Sequence, residues 1–415
     1  MTPITLSADQ QKAFDAFACF IMDPIDPVFV IEGFSGTGKS TLVSHLLERL
    51  PSVIKAARLI NPSLAERQVI LTATTNKAAE ALSQISGQEV VTIHSFLGLR
   101  VNTDYSTGKT TLFPRDRTNI KTDTILFIDE ASYIDADLLK LIFSQTKHCK
   151  IIFMGDPAQL LTVGCFKAPV FTAGFTTARL TEVMRQAEGN PIIDLSTKFR
   201  HTVETGQFFS FKPDGIHIRH MPRDEFDQQI STEFAKPDWS YNQSKVLAWT
   251  NKTVINYNHG ISNLLTGDPH FKEGDYAICN RFMSAGGCNI KTDQTVRISH
   301  ISEEIEMYGV RGNNFELDGR ALFFMPKSNL DKKACIREAK ANNQLSKVAN
   351  IDRTWIDLRY AFAQTVNKSQ GSTYDKVFID LDDISRCNSA DQIARMLYVG
   401  VSRARHEVVL TGDLV

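Results

Sequence analysis

Val28-Phe-Val-Ile-Glu-Gly33-Phe-Ser-Gly-Thr-Gly38-Lys39-Ser40-Thr41 decides how the rest of the chain is read. The apolar run Val28–Ile31 reads as a buried strand, the next stretch is GxxxxGK followed by Ser, and the residues after Lys39 carry a helical pattern. Strand, glycine-rich turn and helix in that order are the setting a phosphate-binding loop needs. Gly33, Gly36 and Gly38, with Thr37 and Thr41 between and beyond them, let backbone N–H groups close around a phosphate at a helix N-terminus. Lys39 then neutralises charge on the terminal phosphates, and the Ser40 hydroxyl can ligate Mg²⁺.

Working outward, Ile125–Ile128 is a second apolar run that leads straight into Asp129-Glu130-Ala-Ser132. A buried strand ending in two carboxylates places them at the edge where α/β folds bind ligands. Asp129 is expected to hold Mg²⁺ through water, and Glu130 to take a proton from the attacking water. The two Asn-Lys pairs, Asn76-Lys77 and Asn251-Lys252, lack an Asp two residues beyond the lysine, so no guanine-reading signal is present and ATP is favoured over GTP.

Composition bounds the alternatives. The 415 residues are 42 % hydrophobic and 22 % charged, enough for two or three compact units. Net charge is −1, so any nucleic-acid contact must come from local patches. Seven scattered cysteines form no CxxC pair, which reads as reduced thiols in a cytoplasmic protein and not as a zinc site. The N-terminus carries no secretory pattern, and no apolar run approaches the roughly 18 residues of a membrane span.

Two sets of apolar runs alternate with helical patterns, the signature of an α/β fold with two parallel sheets. Val28–Gly33, Gln68–Ala73, Thr124–Glu130 and Ile151–Asp156 make the first set, and Lys245–Thr250, Tyr360–Val366, Lys376–Leu381 and Glu407–Gly412 the second. A Thr-rich stretch with a turn at Tyr105-Ser-Thr-Gly-Lys109 interrupts the first lobe as an expected hairpin. A longer insertion interrupts the second, with strand-like pieces and a basic segment, Lys327–Arg353, holding seven Lys or Arg against three Asp or Glu. Lys332, Lys333 and Lys340 in that segment are candidates to meet phosphate. The expected partition is 1–96 with 124–180 as the first lobe, 97–123 as its hairpin, 181–265 with 358–415 as the second lobe, and 266–357 as its insertion.

The order of these elements resembles the superfamily 1 helicases, and within them the RecD/Dda-like 5′→3′ branch, superfamily 1B. The resemblance covers both lobes and is weakest in the insertions. Leu6-Ser-Ala-Asp-Gln10 looks like the family's Q motif, which implies that Gln10 reads adenine. Thr72-Ala-Thr-Thr75-Asn76 and Thr92-Ile-His94-Ser95 resemble the segments that touch the strand, and Gly155-Asp156-Pro-Ala-Gln159 resembles the one whose glutamine senses the γ-phosphate. Leu180-Thr-Glu-Val-Met-Arg185 resembles the segment placing an arginine on that phosphate. In the second lobe, Thr365-Val-Asn-Lys368-Ser369-Gln370-Gly371 and Leu397-Tyr-Val-Gly-Val-Ser402-Arg403 look like motifs V and VI, with Arg403 as the arginine finger.

The resemblance implies two RecA-like P-loop lobes, a β-hairpin pin in the first and a small SH3-like β domain with an extension in the second. It implies an ATP- and Mg²⁺-dependent motor on single-stranded DNA, acting on forked or tailed duplexes. Strand contacts are expected from Thr75, Asn76, His94, Ser95, Trp249, Thr365, Lys368 and Ser369, with Phe113 or Tyr105 at the pin. A working monomer suffices, and a phage-type setting, in host cytoplasm, suggests a single-strand-binding protein or replisome component as partner. DNA over RNA, and the polarity, rest on the resemblance alone. A non-translocating switch ATPase would explain Lys39 and Asp129 but not a second α/β half ending in Ser402-Arg-Ala-Arg405.

Overall fold

The structure, a computed structural model, describes residues 5–62, 66–103, 110–116, 118–162, 167–182, 189–267 and 270–414, with backbone alone at 101–103 and 110. The chain forms two compact units. One takes Met1–Lys212 with Gln370–Ser372 and Ser389–Ser402, and the other takes Pro213–Ser369, Thr373–Asn388 and Arg403–Val415.

In the first unit a six-stranded parallel sheet runs in the order Thr176–Leu180, Val28–Gly33, Lys150–Gly155, Thr124–Asp129, Gln68–Ala73, Val91–Thr92. Its central strands are continuous apolar runs because both faces are covered. Phe29 and Ile31 enter a core with Phe17, Leu46 and Phe127, whereas Val28 and Val30 enter another with Leu126, Phe153 and Ile142. Successive side chains of a strand point to opposite faces, so an unbroken apolar run is what a doubly covered strand requires. Thr176–Leu180 was not among the expected strands. It is an edge strand with only Ala178 and Leu180 buried, too weak a pattern to register as an apolar run.

In the second unit a five-stranded parallel sheet runs Ile218–His220, Ala404–Thr411, Tyr374–Asp380, Ser244–Ala248, Ala363–Thr365. A five-stranded antiparallel sheet runs Ala321–Pro326, Val310–Leu317, Thr295–Met307, Tyr276–Cys279, Leu358–Tyr360. The expected single strand Tyr360–Val366 is thus two strands in two sheets: Tyr360 pairs with Ala277, and Ala363 with Val246.

The units divide elsewhere than the expected partition. Pro191–Thr205 and Ala390–Ser402, both assigned to the second lobe from sequence, lie in the first unit. The reason is burial on nearly all sides: Ala394 through Val401 are all buried, and Ile192, Leu195 and Phe199 line the inward face of Pro191–Thr205.

The basic segment forms two helices, Asn329–Ala341 and Leu345–Thr354. Lys333 and Lys340 are exposed, but Lys332 is not a surface cation. It is 9 % exposed and donates to the Trp355 carbonyl at 3.2 Å, an oxygen it shares with Arg281 at 2.6 Å. Burial and the Arg281 charge bring its pKa down to about 8, against the pull of Asp357 and Asp352.

Between pH 8 and the ordinary 10.5, the unfolded chain holds a proton that folded Lys332 has lost, so this group's contribution to stability rises with pH across that window. Lys332→Met is expected to be more stable than the parent at pH 7 by about 1 kcal/mol or more, as when a buried charge is replaced by a hydrophobe of similar volume. The gain should shrink toward pH 10, read by urea denaturation of both proteins at each pH.

Candidate functional site

The phosphate loop is built by close approach. Gly38 caps the helix Lys39–Ile60 at φ 72°, a left-handed conformation that favours glycine, and a Cβ on Gly33 would crowd Lys39 Cδ and Thr37 Oγ1 at 3.2 Å each. Lys39 Nζ donates to the Gly33 carbonyl at 2.9 Å. Gln10, fully buried, is the hook that fastens the first helix to this loop. Its amide donates to the carbonyls of Thr37 (3.3 Å) and Gly38 (3.1 Å), and its oxygen accepts from the Ser7 N–H at 2.9 Å. The structure therefore places Gln10 as a brace of the loop.

Two strand ends deliver carboxylates to Lys39. Burial raises the pKa of both Asp129 and Asp156, and the Lys39 ammonium opposes the shift at each. Asp129 also accepts from the Glu130 N–H at 2.8 Å. Glu130 sits at φ 54°, ψ 47°, a left-handed conformation that non-glycine residues seldom hold. Thr74 secures that turn, its hydroxyl donating to the Glu130 carbonyl at 2.9 Å and its N–H to the Asp129 carbonyl at 3.1 Å. Glu130 is 9 % exposed, where a carboxylate can act on a single water.

Side chains from far along the chain complete the site within the same unit. Tyr398, 1 % exposed, donates its hydroxyl to Asp156 Oδ2 at 2.5 Å and accepts from the Ser35 N–H of the loop at 3.0 Å. Gln370 Nε2 donates to Gln159 Oε1 at 2.5 Å, and Arg395 Nη1 donates to the carbonyls of Pro157 and Gln159 at 2.8 Å each. The guanidinium of Arg200 lies 4.0 Å from the Phe34 ring centroid, on the loop itself. Tyr398, Arg395 and Arg200 were not picked out from sequence, and Gln370 was named there only as part of a motif, with no role of its own. The signal available for Tyr398 was one hydroxyl inside the apolar run Met396–Val401, since a buried tyrosine hydroxyl needs a partner.

Arg403 belongs to the second unit, is 7 % exposed, and its carbonyl accepts from the Tyr374 N–H at 2.8 Å. Arg185 and Tyr105 lie outside the described residues.

The expected strand contacts fall into two groups. In the first unit, Thr75 caps the helix Asn76–Ser86 through Ala78 N–H, Ser95 is exposed, and His94 is half-buried. Burial pulls the His94 pKa below its ordinary value, Asp135 opposing, so the ring is neutral at pH 7. Phe113 is 40 % exposed on the hairpin formed by Leu99–Thr103 and Thr110–Pro114.

In the second unit, Trp249 is half-buried, held by Asp383, which accepts from the N–H groups of Trp249 and Thr250 at 2.7 Å each. Thr365 Oγ1 accepts from the Lys368 N–H at 3.3 Å. Ser369 is the exception among the expected contacts. It is fully buried and donates to the Val366 carbonyl at 2.7 Å, so its hydroxyl serves the local turn.

Residues 5–215 match the family model of the AAA domain, and residues 360–411 that of the UvrD-like helicase C-terminal domain. The chain is 26 % identical to the ATP-dependent DNA helicase dda of Enterobacteria phage T4, over 98 % of this chain and 99 % of that one. It is 29 % identical to the ATP-dependent RecD2 DNA helicase of Deinococcus radiodurans over 41 % of this chain and 21 % of that one. A Pif1 helicase from Bacteroides, solved in complex with ADP-AlF3 and ssDNA, superposes with a TM-score of 0.52 at 16 % identity, covering 100 % of this chain and 94 % of that one. Pif1 helicases solved at forked dsDNA give 0.55 at 18 %, covering 100 % and 93 %. The shared fold is α/β with RecA-like lobes.

Tyr398→Phe removes one hydroxyl and leaves a buried carboxylate and a loop amide each short of a partner, a loss of about 1–3 kcal/mol. Turnover of nucleoside triphosphate, kcat/KM, is expected to fall about tenfold or more. Steady-state hydrolysis by the variant, beside Lys39→Ala as the inactive reference, checks it.

Proposed function

We propose that this chain, which belongs to the AAA domain family and is a superfamily 1B helicase of the Dda/Pif1-like kind, hydrolyses ATP to move 5′→3′ along single-stranded DNA and open the duplex ahead of it. The observation that carries the reading is that Gln370, Arg395 and Tyr398 reach Gln159, Asp156 and the phosphate loop. A switch ATPase needs no such reach. A motor does, because Gln370 follows the strand-binding candidates Thr365 and Lys368 in the chain, and Tyr398 precedes Arg403.

In this reading the loop from Gly33 to Thr41 and Lys39 hold the phosphates, and Glu130 takes the proton from the attacking water. The Ser40 hydroxyl would ligate Mg²⁺ and Asp129 would hold it through water, and Mg²⁺ when bound supplies neutralisation of phosphate charge. Gln159 senses the γ-phosphate, while Arg185 and Arg403 stabilise charge on the transferring group. Differential contact with that group is what drives closure and release. Opening a base-pair step costs on average about 1.4 kcal/mol, so coupling and not energy limits unwinding.

Thr75, Asn76, His94, Ser95, Trp249, Thr365 and Lys368 are the proposed strand contacts. Hydroxyl and amide groups at helix starts donate to phosphate without reading sequence. Replication, recombination or repair of a phage-type genome is the proposed setting, in host cytoplasm, with the chain working as a monomer. A single-strand-binding protein or replisome component is the proposed partner.

A short duplex carrying a 5′ tail is expected to be unwound with ATP, while a 3′-tailed or blunt duplex is not, and Lys39→Ala abolishes the activity. ATP hydrolysis that ignores single strand, with no unwinding of any substrate, would sink the motor. The exposed Phe113 is the proposed stacking tip, a contact of about 1–3 kcal/mol. Phe113→Ala is accordingly expected to keep strand-stimulated hydrolysis and lose most unwinding in the same gel assay.

A further inference from the structure

Lys368 stands on the short helix Val366–Ser369. Its ammonium donates to Asp293 Oδ1 at 2.7 Å and to Asn280 Oδ1 at 3.2 Å, both in the segment inserted between the strands of the second parallel sheet. The ion pair is half-buried, with side-chain exposures of 32 % for Lys368 and 28 % for Asp293.

Both oxygens are offered from stiff positions. Asp293 is at φ 61° in a turn closed by Gln294 N–H on the Lys291 carbonyl at 3.2 Å, and its own N–H donates to the Cys279 carbonyl at 2.8 Å. Asn280 is fixed to Asp357 twice, its N–H donating to the carbonyl at 2.9 Å and its Nδ2 to the carboxylate at 3.0 Å. A side chain of the inserted segment thus presents a carboxylate to the cation that the proposed function gives to a strand phosphate.

We infer that Asp293 is a positioning residue for nucleic-acid binding: its carboxylate occupies the place on the Lys368 ammonium that a backbone phosphate would take, and so sets how tightly that lysine can grip a strand. The inference rests on the reading of Lys368 as a strand contact. A phosphate approaching Lys368 meets the Asp293 charge as well as the ammonium, so the carboxylate lowers affinity by repulsion and by competition for the same N–H donors. Through Asp293 the inserted segment thereby influences how tightly the strand is held.

Asp293→Asn keeps the side-chain shape and a residue type that tolerates the left-handed turn, and removes only the charge. Binding of a fluorescent oligothymidylate, followed by anisotropy over a salt series, tests the inference in four proteins: the parent, Asp293→Asn, Lys368→Ala and the double variant. Asp293→Asn is expected to bind about three- to fivefold more tightly, the scale of a part-exposed ion pair. Lys368→Ala should bind more weakly, with a salt slope smaller by about one. The double variant should match Lys368→Ala, because Asp293 acts through the lysine.

If Lys368→Ala weakens binding and Asp293→Asn does not strengthen it, Lys368 remains a strand contact and the role of Asp293 is overturned. Equal strengthening by Asp293→Asn in both backgrounds would also overturn it, since the carboxylate would then act on the strand directly. Unchanged binding and salt slope in Lys368→Ala would remove the strand-contact reading itself.

Discussion

Asp156 is buried and Asp129 half-buried, and the Lys39 ammonium acts on both, joined at Asp156 by Arg200. Taking carboxylates out of water is costly unless each is also held by hydrogen-bond donors. The structure supplies them: the Glu130 N–H for Asp129, and the Ala158 N–H and Tyr398 hydroxyl for Asp156. Much else at the site follows from that need. Tyr398 can reach Asp156 only because Ala390–Ser402 is buried against Pro191–Thr205 in the first unit, which draws residues near the end of the chain back to its beginning. The same hydroxyl ties down the Ser35 amide, so the charge that phosphate would perturb is wired to the loop that would hold it.

The second unit solves a similar problem with another cluster. Arg223 forks onto Asp380 at 2.9 Å through both terminal nitrogens and reaches Asp382 at 2.7 Å, and Tyr257 donates to Asp380 at 2.7 Å. These bonds pull the Asp380 carboxyl below its ordinary value despite burial. Neighbouring Asp383 takes the Trp249 and Thr250 N–H groups, fixing the strand-to-helix turn that presents Trp249. Bidentate pairing makes such buried charge tolerable and keeps the surrounding backbone in one arrangement.

How far the sequence was legible varied with the kind of signal. Central strands such as Val28–Gly33 and Thr124–Asp129 were plain, because burial on both faces demands an unbroken apolar run. Edge strands such as Thr176–Leu180 were not, since half their side chains face solvent. Charge was the least reliable guide. Lys332 reads as one more surface lysine in a basic helix, yet it lies under the Trp355 carbonyl. Ser369 reads as a strand contact, yet its hydroxyl closes a turn. For Lys332 the deciding neighbour is set by packing, whereas for Ser369 it is the Val366 carbonyl three residues back in the same turn.

Spacing and residue type by themselves determined the phosphate loop, the Asp129-Glu130 strand end and the order of two α/β halves, because these depend on backbone geometry and local periodicity. Only the tertiary structure decided that Gln10 braces the loop, that Tyr398 and Gln370 join the first unit's site, and that Lys368 is paired with Asp293. Each of the latter is a contact between polar groups separated by 27 to 363 residues, with a side chain on at least one side. Their existence follows from how buried helices and sheets bring distant polar groups together, and from the cost of leaving any of those groups without a partner.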